Sequence, residues 1–283
     1  ASGPVAAQLG NFLDGLALRR KWAALMTPLD AAALNDPALP WHVTVLDETG
    51  STSDWLKERA TELPVRSVVF TESQTAGRGR RENRWITPRG KDLMFSMLLK
   101  PEAPLERWPR ITTLAALGIC KAIEAELPLQ PRIKWPNDVY LQDRKISGLL
   151  AETVSFRGGV RMVLGIGLNV NTVEFPPEIT ATSLLREVRS PALVELDRNA
   201  LAVRLLDALH NEFQRLESDF SAVIDEVRSR SWLIGRQIRA KAPQGDVFGR
   251  VLDLTEEGHL TLEFADGSTH TLTSAEDVRD VRR

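Results

Sequence analysis

Residues 161–171 read RMVLGIGLNVN, and only Arg161 in this run carries a charge. A run this apolar, ending in polar residues, reads as a strand buried within a sheet. A buried strand needs layers packed on it, and two helical patterns can supply them. Residues 107–126 place Ile111, Leu114, Leu117, Ala122 and Ile123 on one side. From about 197 to 228, Leu201, Leu205, Leu209, Phe213, Leu216 and Phe220 recur at helical spacing. Further strands are expected at HVTVL (42–46), SVVFTE (67–72) and LMFSMLLK (93–100), and in a hairpin from RIKW through DVYLQ to KISGLLAE. Ser51-Thr52-Ser53-Asp54 is a cluster of N-cap residues, expected to open a helix over roughly 54–63.

The two ends of the chain differ from this middle. Residues 1–40 read as an interrupted helical extension docked on the main unit. Leu9, Phe12, Leu13, Leu16 and Leu18 form one apolar patch, Leu29–Leu34 a second short helix, and Pro28, Pro37 and Pro40 break the run. Residues 172–195 read as an irregular loop. After Trp232 the pattern becomes all-β: RQIRAKA, VFGRVLDLT, HLTLEFA and THTLTS are joined by PQGD, EEGH and ADGS. The expectation is an α+β fold in three parts: a helical extension over 1–40, a mixed sheet with packed helices over 41–231, and a small β-barrel over 232–283.

Composition narrows the function classes. With 283 residues, 26% of them charged, and a net charge of −2, the chain is unsuited to coating nucleic acid or a membrane surface. The single cysteine, Cys120, lies in the apolar run LAALGICKAI, so no internal disulfide is possible and a reducing, cytoplasmic setting is expected. The four histidines, His42, His210, His259 and His270, have no metal-ligand spacing, and no resident metal site is expected. No apolar run is long enough to span a membrane, and the first residues lack a signal-peptide pattern.

Four stretches carry candidate chemistry. GRGRRENRW (77–85) packs two glycines and four arginines into nine residues. Gly77 and Gly79 allow backbone N–H groups to converge on an anion, and Arg78, Arg80, Arg81 and Arg84 add bidentate donors. A solvated basic loop is the competing reading. In KWPNDVYLQDRKISGLLAE (134–152), Lys145 follows a turn, and Gly148 inside an apolar strand marks a close approach to the backbone, by a ligand or by a helix. In GIGLNVN (165–171), alternation bares one face at Gly165 and Gly167 and puts Asn169 on that face; a flat ligand or a β-bulge would explain it. In GSTSDWL (50–56), the hydroxyls can cap a helix or meet a polar ligand.

In their order and combination, GSTS, QTAGRGRRENRW, KWPNDVYLQDRKISGLLAE and GIGLNVN resemble the biotin protein ligase (holocarboxylase synthetase) family, from about Trp41 to the C-terminus. The resemblance implies a mixed sheet with helices on one side and an SH3-like C-terminal domain. It implies two steps: biotin and ATP give biotinyl-5′-AMP, and a lysine of a biotin carboxyl carrier domain then takes the biotin. Carried over by position, Ser51, Thr52, Ser53 and Gln74 would meet biotin's ureido ring, with Gly77, Arg78 and Gly79 beside it. Gly148, Gly165 and Gly167 would line the biotin tunnel. Lys145 would bridge carboxylate and α-phosphate, and Arg80 would hold phosphate and retain the adenylate. Arg81, Arg84, Trp85, Lys134, Asn137, Asp138 and Asn169 would build the ATP side, with Mg2+ arriving alongside ATP. Two positions depart from the family pattern: Ser53 stands where asparagine is usual, and Glu82-Asn83 where Gly-Arg usually continues the loop. No basic recognition helix is seen in 1–40, so no specific DNA binding is expected; a monomer or homodimer fits. A lipoate-type ligase and a non-catalytic biotin or nucleotide sensor are the alternatives.

Overall fold

The computed structural model describes residues 27–80, 83–188 and 194–281. The Leu9–Leu18 patch, Arg81 and Glu82 lie outside the described residues.

Seven strands build the main sheet: β1 (His42–Leu46), β2 (Ser67–Thr71), β3 (Leu93–Leu99), β4 (Arg132–Lys134), β5 (Asp138–Leu141), β6 (Arg144–Phe156) and β7 (Gly159–Leu168). Their spatial order is β1-β2-β3-β7-β6-β5-β4. The pair β1–β2 is parallel and the other pairs are antiparallel. The expected RMVLGIGLNVN strand is β7, whose ladder ends at Leu168. Among the described residues six α-helices accompany the sheets: α1 (Ala31–Leu34), α2 (Thr52–Glu58), α3 (Arg110–Glu126), α4 (Leu184–Val188), α5 (Arg198–Ser218) and α6 (Phe220–Ser229).

Alternation along the strands sorts side chains between two faces. Val68, Phe70, Phe95, Met97, Leu164 and Ile166 enter the large core shared with α3 and α5. Gly118 brings those two helices together; a methyl there would sit 3.3 Å from Leu209 Cδ2. Cys120 is buried in this core, and burial pushes its thiol well above the ordinary range, which keeps it protonated and inert. Val69, Leu98 and Val163 point the other way, into a smaller cluster with Leu56 and Ala60 beneath α2. Helices therefore cover both faces, where the family resemblance implied one. The sheet's outer strand is also covered: the Asn35 side chain accepts from Val43 N–H and donates to Val43 C=O, occupying edge groups of β1.

Three expected elements differ in detail. The helix expected over 197–228 breaks at Asp219, whose non-helical backbone (φ −155°, ψ 39°) ends α5 and precedes α6. Ser218 Oγ donates back to Gln214 C=O at 3.2 Å beside the break, and the apolar stripe continues across two helices rather than one. The irregular 172–195 stretch contains α4, and the helix expected at 54–63 starts at Thr52 and ends at Glu58.

The C-terminal strands are β8 (Gln237–Ala242), β9 (Gly245–Leu254), β10 (Leu260–Glu263), β11 (Thr269–Leu272) and β12 (Glu276–Asp280). They form an antiparallel sheet in the order β11-β10-β9-β8-β12. The expected barrel is an open sheet: no ladder joins β11 to β12 among the described residues. Charged residues dominate β12 (EDVRD), which hid it from a hydrophobic pattern. Ile238, Val251, Leu260 and Leu262 are buried here, and Trp135 Nε1 donates to Gly258 C=O at 3.0 Å, tying the two sheets together. Among the described residues no helix is long and apolar enough to cross a membrane.

Candidate active site

The site lies on the face of the main sheet that carries the smaller cluster. Across it, Ser96 on β3 pairs with Gly165 on β7, which pairs with Leu150 on β6. One step along, Gly167 pairs with Gly148, and Gly148 with Asp138 on β5. Three glycines on neighbouring strands leave a bare strip between taller neighbours. The close approach foreseen at these glycines is made by Trp85 and Lys145: a methyl on Gly167 would overlap the Trp85 indole, and one on Gly148 would lie 2.8 Å from Lys145 Nζ.

One end of the strip is walled by the start of α2. Ser51 is its N-cap, and Ser51, Thr52 and Ser53 are all buried. Residues 73–76 run beside 49–50, with Thr75 N–H donating to Thr49 C=O and Ala76 N–H to Gly50 C=O. That pairing brings Gln74 to the helix start, where its Oε1 accepts from Thr52 N–H at 2.9 Å.

The described flanks of GRGRRENRW, residues 77–80 and 83–85, pair with each other. Gly79 N–H donates to Asn83 C=O at 2.8 Å, Trp85 N–H to Gly77 C=O at 3.1 Å, and Arg78 bridges Arg84 across the turn. A Gly77 methyl would collide with the Trp85 carbonyl oxygen, so this turn needs glycine there. Arg78 is clamped by Glu152 (2.5 and 3.2 Å) and Asp54 (3.0 Å). Arg80 Nη1 donates to Asn137 Oδ1 at 3.1 Å and Nη2 to Ala275 C=O at 3.4 Å, so this guanidinium spans both sheets.

The far end holds the other charges. Asn137 Nδ2 donates to Leu149 C=O at 2.8 Å, which fixes the KWPND turn against β6. Lys145 Nζ pairs with Asp138 Oδ1 at 2.6 Å and lies 5.7 Å from the Trp85 ring centroid. Lys134 donates to Tyr140 Oη at 3.0 Å and faces the rings of Tyr140 and Trp232. Burial pulls the Lys134 ammonium below its ordinary value, against the opposing pull of Asp138, and pushes the Tyr140 phenol up.

A single cavity gathers most of the residues singled out from the sequence. Ser51, Thr52, Ser53 and Gln74 line one side, Arg78, Gly79, Arg80 and Trp85 the turn, and Asn137, Lys145, Gly148, Gly165 and Gly167 the floor. Gly77, Arg84, Lys134, Asp138 and Asn169 lie outside its lining, although Asp138 reaches it through Lys145. Asn169 is spent on structure: its Nδ2 donates to Thr182 C=O at 3.0 Å. The segment after it is held by the buried Asp92, whose Oδ1 accepts from Val170, Asn171 and Thr172 N–H while Oδ2 takes the Thr87 and Thr172 hydroxyls. Phe95, Leu149, Leu150 and Ile166 complete the lining without having been foreseen; Ser96, also unforeseen, stands behind it in contact with Thr52 and Ser53. A lone serine inside the otherwise apolar run LMFSMLL was the available signal for Ser96.

Chemically this is a neutral, hydroxyl-rich slot with a glycine floor, opening onto an arginine and a lysine. It suits a flat polar ring at one end and negative charge at the other. Among the described residues no three His, Cys, Asp or Glu side chains are grouped to hold a metal.

Known proteins resemble this chain in sequence and in fold. A profile described as Biotin/lipoate A/B protein ligase family matches residues 45–171, and one described as Biotin protein ligase C terminal domain matches residues 233–276. The biotin–[acetyl-CoA-carboxylase] ligase of Mycobacterium tuberculosis is 32% identical over 271 residues, covering 91% of this chain and 98% of that protein. The bifunctional ligase/repressor BirA of Bacillus spizizenii is 32% identical over 233 residues, 80% of this chain and 70% of its own length. The solved structure of the Aquifex aeolicus biotin protein ligase in complex with biotin and ATP superposes with a TM-score of 0.74 at 27% identity, over 84% of this chain and 99% of that one. With both profiles matched in order and a relative 32% identical over nearly its full length, the chain belongs to the biotin protein ligase family.

Proposed function

We propose that this protein activates biotin with ATP and transfers it to a lysine of a biotin carboxyl carrier domain. The supporting observation is the glycine strip of Gly148, Gly165 and Gly167, which runs from the Ser51–Ser53 hydroxyls to Lys145 and Arg80. The ureido ring takes the hydroxyl end, and the valeryl chain lies along the strip. Its carboxylate then emerges where the cations stand.

In the first step a carboxylate oxygen of biotin attacks the α-phosphorus of ATP, and pyrophosphate leaves. Two anions must meet, so fixed cations stabilise the charge that accumulates. Lys145 is suited to bridge them, exchanging its Asp138 partner for carboxylate and phosphate oxygens. Arg80 is held by Asn137 and Ala275 beside the same mouth and is suited to hold phosphate. In the second step the carrier's lysine amine attacks the acyl carbon, and AMP departs with the bonding electrons. Mg2+ enters as the ion of the nucleotide substrate, and no side chain is assigned to it. The reading keeps residues 41–231 as the biotin- and ATP-binding unit and 232–283 as an adjoining one. A single buried cysteine suits a reducing, cytoplasmic setting.

ATP–pyrophosphate exchange tests the proposal. Biotin should support exchange and lipoate should not. Lys145→Ala should lower the exchange rate by roughly 100- to 1,000-fold with an unchanged melting temperature, the scale of losing one transition-state donor. Exchange that depends on lipoate, or near-normal turnover by Lys145→Ala, would overturn the reading.

A further inference from the structure

Ser96 sits in the middle of β3, itself a central strand, and is fully buried. Its neighbours along the strand are Phe95 and Met97, both turned into the large core. Its own side chain points to the other face, toward the start of α2. There its Oγ lies 2.7 Å from Thr52 Oγ1 and 2.9 Å from Ser53 Oγ. Thr52 Oγ1 in turn donates to Gln74 Oε1 at 3.3 Å. Gly165 makes room for this contact: a methyl there would stand 2.6 Å from Ser53 Oγ.

The direction of the protons follows from counting. Each hydroxyl has one proton and two lone pairs, and an amide oxygen has only lone pairs. With the Thr52 proton given to Gln74, the Ser96 proton goes to Thr52, and the Ser53 proton goes to Ser96. The chain then runs one way, from Ser53 through Ser96 and Thr52 to Gln74. Three links consume three protons. Thr52 and Ser53 both line the cavity, and the lone pairs that remain on them are available as acceptors. A cyclic urea presents two ring N–H groups, which need acceptors.

We propose that Ser96 is a positioning residue for ligand specificity: it orients the Thr52 and Ser53 hydroxyls so that they accept from the N–H groups of a cyclic urea. This rests on biotin being the substrate. Ser96 itself touches neither the ligand nor the reacting atoms. Without its hydroxyl, Thr52 loses the donor that fixes its lone pairs, and the Ser53 proton loses its acceptor and can turn into the cavity, toward the ligand's N–H groups.

The test is biotin-dependent exchange by the intact protein with Ser96→Ala and with Ser96→Cys, a near-isosteric but weaker partner. Ser96→Ala should raise the KM for biotin roughly 5- to 50-fold, the scale of stranding one buried polar group. The KM for ATP and the maximal rate should stay within about twofold, and Ser96→Cys should fall between the two. A second readout separates orientation from general loosening. Biotin methylated on one ureido nitrogen is compared with biotin as substrate or competitor. If Ser96 works through the N–H groups, the penalties of methylation and of Ser96→Ala are coupled, and the double change costs clearly less than their product. Additive penalties, an unchanged biotin KM, or an equal rise in the KM for ATP would each remove Ser96 from this role. Absence of biotin-dependent exchange in the unmodified protein would instead reject the proposed function, and this inference with it.

Discussion

The two faces of the seven-stranded sheet use the same strands for opposite purposes. On β3, Phe95 and Met97 point into the core under α3 and α5, while Ser96 between them points at the site. On β7, Leu164 and Ile166 fill the core while Gly165 and Gly167 leave space. One face is stabilised by volume, and the other functions because volume is missing. A period of two residues is enough to keep the two roles apart. The cavity is thereby floored by central, paired strands of the main sheet, a useful support when a 1 Å displacement can disrupt reacting groups.

Substitutions on each face can break or sharpen this contrast. The largest stability effect is predicted for Phe70→Ala. Phe70 is fully buried and stacks on Phe95 at 4.6 Å between centroids. Its loss should cost about 3–5 kcal/mol in chemical denaturation while the KM for biotin holds nearly constant. A large change in KM with little loss of stability would mean that the faces are not separated. Leu98→Ala is predicted to come next, at about 2–3 kcal/mol, because it leaves a cavity in a small cluster. That cluster supports α2, so here stability and biotin KM should change together; an unchanged KM would detach the helix from the site. Gly167→Ala is expected to have the smallest effect on folding, since the indole it displaces belongs to a turn. Its cost should fall instead on kcat/KM for exchange, by about 1–3 kcal/mol from overpacking. Equal activity with an unchanged melting temperature would show that the strip need not be bare.

The difference between the faces also explains what could be read from the sequence. Periodicity located β1, β2, β3, α3 and most of α5, because each buries one regular apolar face. It also flagged the bare strip, since Gly165 and Gly167 interrupt an apolar run two residues apart. Pattern alone could not assign partners. That Ser96 faces Thr52, that Arg80 meets Ala275, and that Arg78 is taken by Glu152 and Asp54 are contacts between residues far apart in the chain. The resemblance supplied Lys145 and Arg80 as candidates but left their partners blank. The strand β12 was missed because its alternate residues are charged, and the break at Asp219 because an apolar stripe can cross a helix end.

The parallel pairing of β1 with β2 has a further consequence. Two adjacent strands running the same way cannot be joined by a tight turn, so the chain must cross over between them. The crossover here is residues 47–66, and it carries Ser51, Thr52 and Ser53. The wall proposed to meet the ligand's polar ring is therefore made by a crossover connection rather than by a strand. That wall takes shape only when the loop closes and the edge strand docks. Loop closure costs entropy before any contact repays it. Recognition chemistry and the completion of the sheet's edge are thus one event in the history of the chain.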